Sequence, residues 1–528
     1  MSQGAEAQKA ALWRAFRIVH DLQAGVPGTL AALEGLSRAA GEHGWGDVER
    51  AVLYARAIHA WFSGAEDVPL TVEALIDRSS ADGDDVMLAM ALAMRSDPGF
   101  AHSDRLGVAS RDGDLARAVV LLESGEGHPL ERISAHTACG IAFCNRWLFE
   151  LGDEQYAAGL AAGVGEPRGA LDFILAPIMF NRAEIQVMWA SWLRQLGDHE
   201  GVAERWKTWK SLADEAEDSY AMVDAWRVEL RALGLVLAAT AGEDAAAPAS
   251  ALLATMRSST DAPRATGLLN LAVALSDADA GRSTTASLRS ALATLDPVAH
   301  PHAYTLALGL AAEVEARDGR RAGLVYARRH LEEHWADRRS SLGAMRARIA
   351  AERLARERDV LTRHARLDDL TGVGNRRALT QYLAELNFEE VTRLALILLD
   401  VNAFKLFNDR YGHLAGDAVL LRVAQVLQRH VRSRDLVVRL GGDEFVVVLP
   451  EVDLDAACTR ATRVLMQMED ERFPDISADL VVGLSAGAAA GGQADVRAIF
   501  AAADAALYRA KAGGGTRVGR SVMARAEP

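Results

Sequence analysis

Between residues 394 and 512, short apolar runs alternate with segments of helical period in one order: strand, helix, strand, strand, helix, strand. Residues 394–399 (LALILL) are a continuous apolar run ending on Asp400, the pattern of a strand buried on both faces. A helix is predicted from about residue 414 to 431, with Val419, Leu420, Val423, Val426, Leu427 and Val431 on one face. Residues 436–438 and 445–449 read as strands joined by a turn containing Gly441-Gly442, and Pro450 stops the second. Residues 455–468 read as helix, 480–488 as strand and 496–512 as helix.

This order is that of an α+β, ferredoxin-like (split βαβ) sheet. Its first and third strands are antiparallel neighbours at the centre, so Asp400 and Asp443 are expected to meet at one edge. Two carboxylates there would repel unless a cation lies between them, and hard oxygen ligands suit Mg²⁺. The adjacent glycines let a phosphate or sugar approach the backbone with no Cβ in the way. A solvated acidic hairpin turn is the other reading of Gly-Gly-Asp taken alone.

The rest of the 528 residues is different in kind, and its length calls for more than one domain. All ten tryptophans lie at or before Trp335. The first part is Ala/Leu-rich, with helical segments joined by short breaks: 183–196 then Gly197-Asp198 then 202–213, 135–151 then Gly152-Asp153, and 304–317 then Asp318-Gly319. Consecutive helix pairs suggest an all-α tetratricopeptide-like repeat region over 1–336 that would bind a protein or peptide; an irregular helical bundle is the alternative. Residues 337–366 are strongly charged, lack Pro and read as a helical linker. Leu342, Met345 and Ile349 begin an apolar stripe that Leu354 and Leu361 continue in a shifted register, which suggests a paired, coiled-coil helix or else a single solvated one. The third domain is 367–528.

A net charge of −14 argues against a general nucleic-acid binder. The N-terminus lacks the pattern of a signal peptide and no apolar stretch is long enough for a bilayer, so a cytoplasmic protein without membrane contact is expected. Cys139, Cys144 and Cys458 fit neither a disulfide framework nor a metal knuckle and read as small hydrophobes.

Five ordered blocks in the last third carry a resemblance. They are 368–377 (DDLTGVGNRR), 399–405 (LDVNAFK), 408–417 (NDRYGHLAGD), 439–445 (RLGGDEF) and 503–511 (ADAALYRAK). Together they resemble the GGDEF diguanylate cyclases, a nucleotide-cyclase fold, over about residues 366–520. The resemblance implies a transferase that condenses two GTP into cyclic di-GMP with release of two pyrophosphates, one GTP per domain, in a homodimer. It implies Mg²⁺, two per site with Mn²⁺ as substitute, held by Asp400, the Val401 carbonyl, Asp443 and Glu444. Asp443, Glu444 and Lys405 are then the catalytic groups. Asn408, His413, Asp417, Gly441, Gly442, Lys511 and Arg517 are the GTP-binding ones. A carboxylate at Asp417 can accept from both N1–H and the exocyclic amine of guanine, which favours GTP over ATP. The chain has five lysines against 53 arginines, and Lys405 and Lys511 fall where the family places phosphate contacts.

Arg432 and Asp435 match the family's RxxD product-inhibition site, with a structural ion pair as the alternative. Two positions depart from the family: Asn402 stands where a second Asp is frequent, and Gly515 where a phosphate-contacting Arg is usual, with Arg517 two residues on as a substitute. The competing function is a non-catalytic cyclic di-GMP receptor that uses the RxxD site and the helical repeats.

Overall fold

The computed structural model describes residues 3–23, 26, 28–63, 65, 67–97, 108–124, 126–165, 169–219, 224–256, 263–296, 301–317, 322–386, 391–474, 476–477, 480–492, 496–512 and 516–522. The chain divides into two compact units, Met1–Leu354 and Ala355–Pro528. Among the described residues, no helix is long and apolar enough to cross a membrane.

The first unit is helical: α1 (Gln3–Gln23), α2 (Thr29–His43), α3 (Gly46–Ser63), α4 (Val68–Asp82), α5 (Asp85–Ser96), α6 (Val108–Ser124), α7 (Pro129–Cys144), α8 (Phe149–Ala162), α9 (Asp172–Leu196), α10 (His199–Ser219), α11 (Asp224–Thr240), α12 (Ala246–Met256), α13 (Pro263–Asp279), α14 (Thr285–Thr294), α15 (Pro301–Arg317) and most of α16 (Ala322–His364). Local chemistry sets several ends. The Asp84 carboxylate accepts from Met87 N at 3.0 Å and starts α5. His128 and Glu131 cap α7 reciprocally, with Pro129 in its first turn.

Helices adjacent in sequence pack on one another in turn, and α9 also touches α1 and α15. One side of α9, with Ile178, Ile185 and Trp192, belongs to a core built from α1 to α9 and α16. Another side, with Met179, Phe180, Val187 and Leu193, belongs to a second core that runs to α15. This helix is apolar nearly all round because it is buried nearly all round.

Two features differ from the sequence reading. Helix 135–151 with a break at Gly152 is instead α7 and α8, divided at residues 145–148, and Gly152 lies inside α8. Gly152 serves close packing: a Cβ there would stand 2.6 Å from Cys144 Sγ. Second, α16 begins well before residue 337, and the first half of the expected pairing stripe faces this unit's own core. Met345 and Ile349 are buried there and Leu342 packs against them, whereas Leu354 and Leu361 are exposed. Arg338 is also buried; it donates to the Trp147 carbonyl and Glu150 and lies 4.3 Å over the Trp335 ring. The expected break at Asp318-Gly319 lies outside the described residues.

The second unit holds α17 (Arg376–Glu385), β1 (Arg393–Val401), α18 (Phe404–Tyr411), α19 (His413–Arg429), β2 (Leu436–Gly441), β3 (Glu444–Pro450), α20 (Leu454–Asp470), β4 (Leu484–Gly492), α21 (Val496–Ala512) and β5 (Arg517–Val522). The sheet runs β2-β3-β1-β4-β5, antiparallel except for β4 with β5. Along β1, Ala395, Ile397, Leu399 and Val401 join a core with α19 and α20. Leu394, Leu396 and Leu398 join another with α17 and α21. Both faces of β1 are covered, which is why its apolar run is unbroken. Helix α21 lies so close on β4 that a Cβ at Gly487 would stand 2.2 Å from Ala503 O and Leu507 N. Strand β5 and helix α18 are absent from the sequence reading; β5 has little apolar content of its own and exists through pairing with the edge of β4. All three cysteines are free, Cys139 and Cys144 buried and Cys458 half-buried. Burial pushes the Cys139 thiol up to about 12, so it stays protonated and inert.

Candidate active site

The pairing register lays one row of residues across four strands at a single sheet edge. Asp400 stands opposite Glu444 of β3 on one side and Ser485 of β4 on the other, and Ser485 stands opposite Arg517 of β5. Directly opposed residues share a face, so a carboxylate pair, a hydroxyl and a guanidinium are neighbours there. Asp443 lies in the turn before β3, and its carbonyl accepts from Val401 N at 3.3 Å. Gly441 and Gly442 both have positive φ, 148° and 58°, which a side chain would resist.

Asp400 is 6% exposed, and its Oδ2 is 2.6 Å from Lys511 Nζ, which reaches it from the last turn of α21. Burial, joined by the charges of Asp443 and Glu444, pushes the Asp400 carboxyl above its ordinary value against the pull of Lys511. The edge therefore concentrates negative charge and already draws one cation. Hard carboxylate oxygens with a demand for positive charge suit a hard divalent cation. Among the described residues, however, no three His, Cys, Asp or Glu side chains are gathered at ligand distance.

The Gly-Gly turn is held by a contact absent from the sequence reading. Arg439 donates to the Gly442 carbonyl at 3.0 and 2.8 Å and to Asp368 at 3.0 and 3.3 Å. Asp368 also accepts from Thr371 N and Oγ1, at 2.9 and 2.6 Å. Burial works against the Asp368 charge, but the Thr371 and Arg439 hydrogen bonds outweigh it and hold the carboxyl below its ordinary value. The pair is 71 residues apart in sequence, a separation that leaves no local signal.

Asn402 donates its backbone N–H to the Gly483 carbonyl at 2.9 Å and accepts from Ser485 Oγ at 2.6 Å. The departure from Asp thus removes a charge and keeps a bonded position. Asn408 of α18 abuts α19: a Cβ on Gly416 would fall 1.9 Å from Asn408 Oδ1, which is buried with no partner among the described residues. Asp417, one residue on, is half-buried; His413 at the start of α19 and Lys405 in the first turn of α18 are exposed. Arg517 is exposed on β5, and Gly515 lies outside the described residues.

Arg432 and Asp435 form a tight turn apart from this row. Asp435 Oδ2 accepts from Arg432 N at 2.9 Å and pairs with Arg460 Nη1 at 2.6 Å; its side chain is 1% exposed. The other oxygen, Oδ1, is buried without a partner among the described residues, while Arg432 is exposed. Arg460 is a second contact that the sequence reading missed.

A profile described as "Diguanylate cyclase, GGDEF domain" matches residues 365–517. Diguanylate cyclase DgcP of Pseudomonas aeruginosa is 38% identical over 180 residues, covering 31% of this chain and 26% of that protein. Diguanylate cyclase DgcZ of Escherichia coli is 32% identical over 160 residues, 30% of this chain and 54% of its own. The chain thus spans about a quarter to a half of the length of these curated relatives. The GGDEF domain of DgcB from Caulobacter crescentus, solved with c-di-GMP, is 30% identical, with a TM-score of 0.28 over 30% of this chain and 95% of that one. The sheet unit of this chain, from residue 365 to residue 517, is a GGDEF domain.

Proposed function

We propose that this protein is a diguanylate cyclase that condenses two GTP into cyclic di-GMP and two pyrophosphates as a homodimer in the cytoplasm. The observation that carries the reading is the edge where Asp400 stands opposite Glu444 and is acted on by the Asp443 charge, beside an open Gly-Gly turn.

Asp400, the Val401 carbonyl, Asp443 and Glu444 would hold Mg²⁺, two per site, or Mn²⁺. When bound, the metal supplies activation of the attacking hydroxyl and stabilisation of phosphoryl charge. Asn408 and Asp417 take the donor edge of guanine, His413 contacts the substrate beside them, and Gly441 and Gly442 leave room for the nucleotide. Asp443 accepts the 3′-hydroxyl proton, Lys405 steadies charge on the transferring phosphoryl group, and Lys511 and Arg517 contact phosphates. Each 3′-hydroxyl attacks the α-phosphorus of the opposing nucleotide, so one domain provides half a site. Arg432 and Asp435 bind the product as an inhibitor. The helical unit acts as a tetratricopeptide-like stack that receives a protein or peptide signal, and the exposed Leu354 and Leu361 of α16 pair with a second copy.

GTP turnover measured across protein concentration tests the reading. Product should rise with the square of protein at low concentration and become linear once dimer predominates. A confirmed dimer that makes no cyclic di-GMP from GTP and Mg²⁺ sinks it.

A further inference from the structure

A cavity of about 800 Å³ lies within the helical unit, between α6, α7, α8 and residues 346–353 of α16. Its walls are apolar along Val119, Leu122, Phe143, Leu151 and Ile349. Three guanidinium groups, Arg132, Arg346 and Arg353, face two carboxylates, Glu123 and Glu154. Arg353 chelates Glu123, with Nε at 3.0 and 2.8 Å from its two oxygens, and Arg346 approaches Glu154 at 3.5 Å. These four side chains are 40% to 59% exposed and form the rim. Arg132 is the one left over: its Nε is buried and, among the described residues, has no hydrogen-bond partner. His136, 7% exposed and bonded through Nδ1 to Gln155 at 2.9 Å, adds no charge, since burial lowers its pKa.

A guanidinium that has no ion-pair partner among the described residues, on a wall shared with apolar side chains, leaves a place for an anionic head with an apolar body. We propose that this cavity is a binding site for a small organic anion, with a carboxylate or phosphate head on Arg132 and an apolar body along Phe143, Leu151 and Ile349. Its volume is that of a metabolite pocket. Three of its lining residues lie on α16, the helix that ends at His364, immediately before the GGDEF domain. An occupant would therefore bear on the helix that continues into that domain. The site stands whether or not the cyclase reading does.

Calorimetric titration of the full chain with octanoate, octyl phosphate and octan-1-ol tests the site, the two anions separating carboxylate from phosphate. At least one anion should bind one-to-one, at least about tenfold more tightly than the alcohol, as a charge-assisted bond to Arg132 requires. Arg132→Met should lose that tenfold, and Ala158→Phe, which narrows the cavity, should lose binding with the thermal transition retained. The proposal is overturned if neither anion binds at millimolar concentration, if octan-1-ol binds as tightly, or if a folded Arg132→Met protein binds undiminished. The anion-to-alcohol comparison needs no variant and decides the matter even if both substitutions unfold the protein.

Discussion

The helical unit and the GGDEF domain assemble their polar chemistry in opposite ways. In the sheet domain, one pairing register brings Asp400, Glu444, Ser485 and Arg517 from four strands into a row, which Lys511 reaches from α21. In the helical unit, the charged lining of the cavity comes from residues 123, 132, 154, 346 and 353, spread over four helices. A sheet edge can be read from short motifs because each strand end delivers its residue by sequence position. A helical cavity depends on which faces happen to meet, so its residues form no motif.

Changes at the sheet edge should silence chemistry and leave the helical unit intact, and the largest effect expected is of this kind. Asp443→Ala should lower cyclic di-GMP formation by about a thousandfold or more, the scale of losing at once the proposed metal ligand and proton acceptor. Equal turnover in a well-folded variant would break the comparison. Next in size, Gly487→Ala forces a Cβ into the backbone of α21 and should cost about 3 kcal/mol or more, as overpacking of a close contact does. Calorimetry should show only the sheet domain's melting transition shifting; a joint shift would mean that the two units melt as one.

In the helical unit the matching experiment is Glu131→Gln. Burial, with the nearby Asp84 charge, pushes the Glu131 carboxyl up to about 7. The folded state therefore holds its proton more tightly than the unfolded chain does. The stability this contributes is full below about pH 4.5 and is lost as pH rises through about 7, on the order of 3 kcal/mol in all. Glu131→Gln should flatten that slope in melting temperature for the helical transition alone, and an unchanged slope would assign it to another group. Smallest is Arg439→Lys, which cannot fork between Asp368 and the Gly442 carbonyl. It should reduce turnover about tenfold by loosening the turn, a loss of roughly 1.4 kcal/mol. Since the Asp368 carboxyl lies below its ordinary value, the stability of this staple is complete above about pH 4 and is lost as pH falls through its lowered pKa.

Much of the sheet domain was legible in sequence because β1 is apolar on both faces and the Gly-Gly turn, Pro450 and the helical periods punctuate it. Strand β5 was not, since its six residues pair with β4 without an apolar run of their own. The break between α7 and α8 was misplaced at Gly152 because a glycine used for close approach looks the same in sequence as one used as a breaker. The Asp435 carboxylate read as a ligand group, and its pairing with Arg460 became visible only when α20 packed beside that turn.

The sequence by itself carried the resemblance of its last third, most of the order of elements there and which side chains stand at strand ends, because these follow from local periodicity and turn chemistry. Only the tertiary structure decided that Lys511 reaches Asp400, that Arg439 ties the glycine turn to Asp368 and that Met345 and Ile349 face their own chain. The physical reason is the same each time: these contacts join residues far apart in the chain, and charge and apolar area find partners only once the helices and strands have packed.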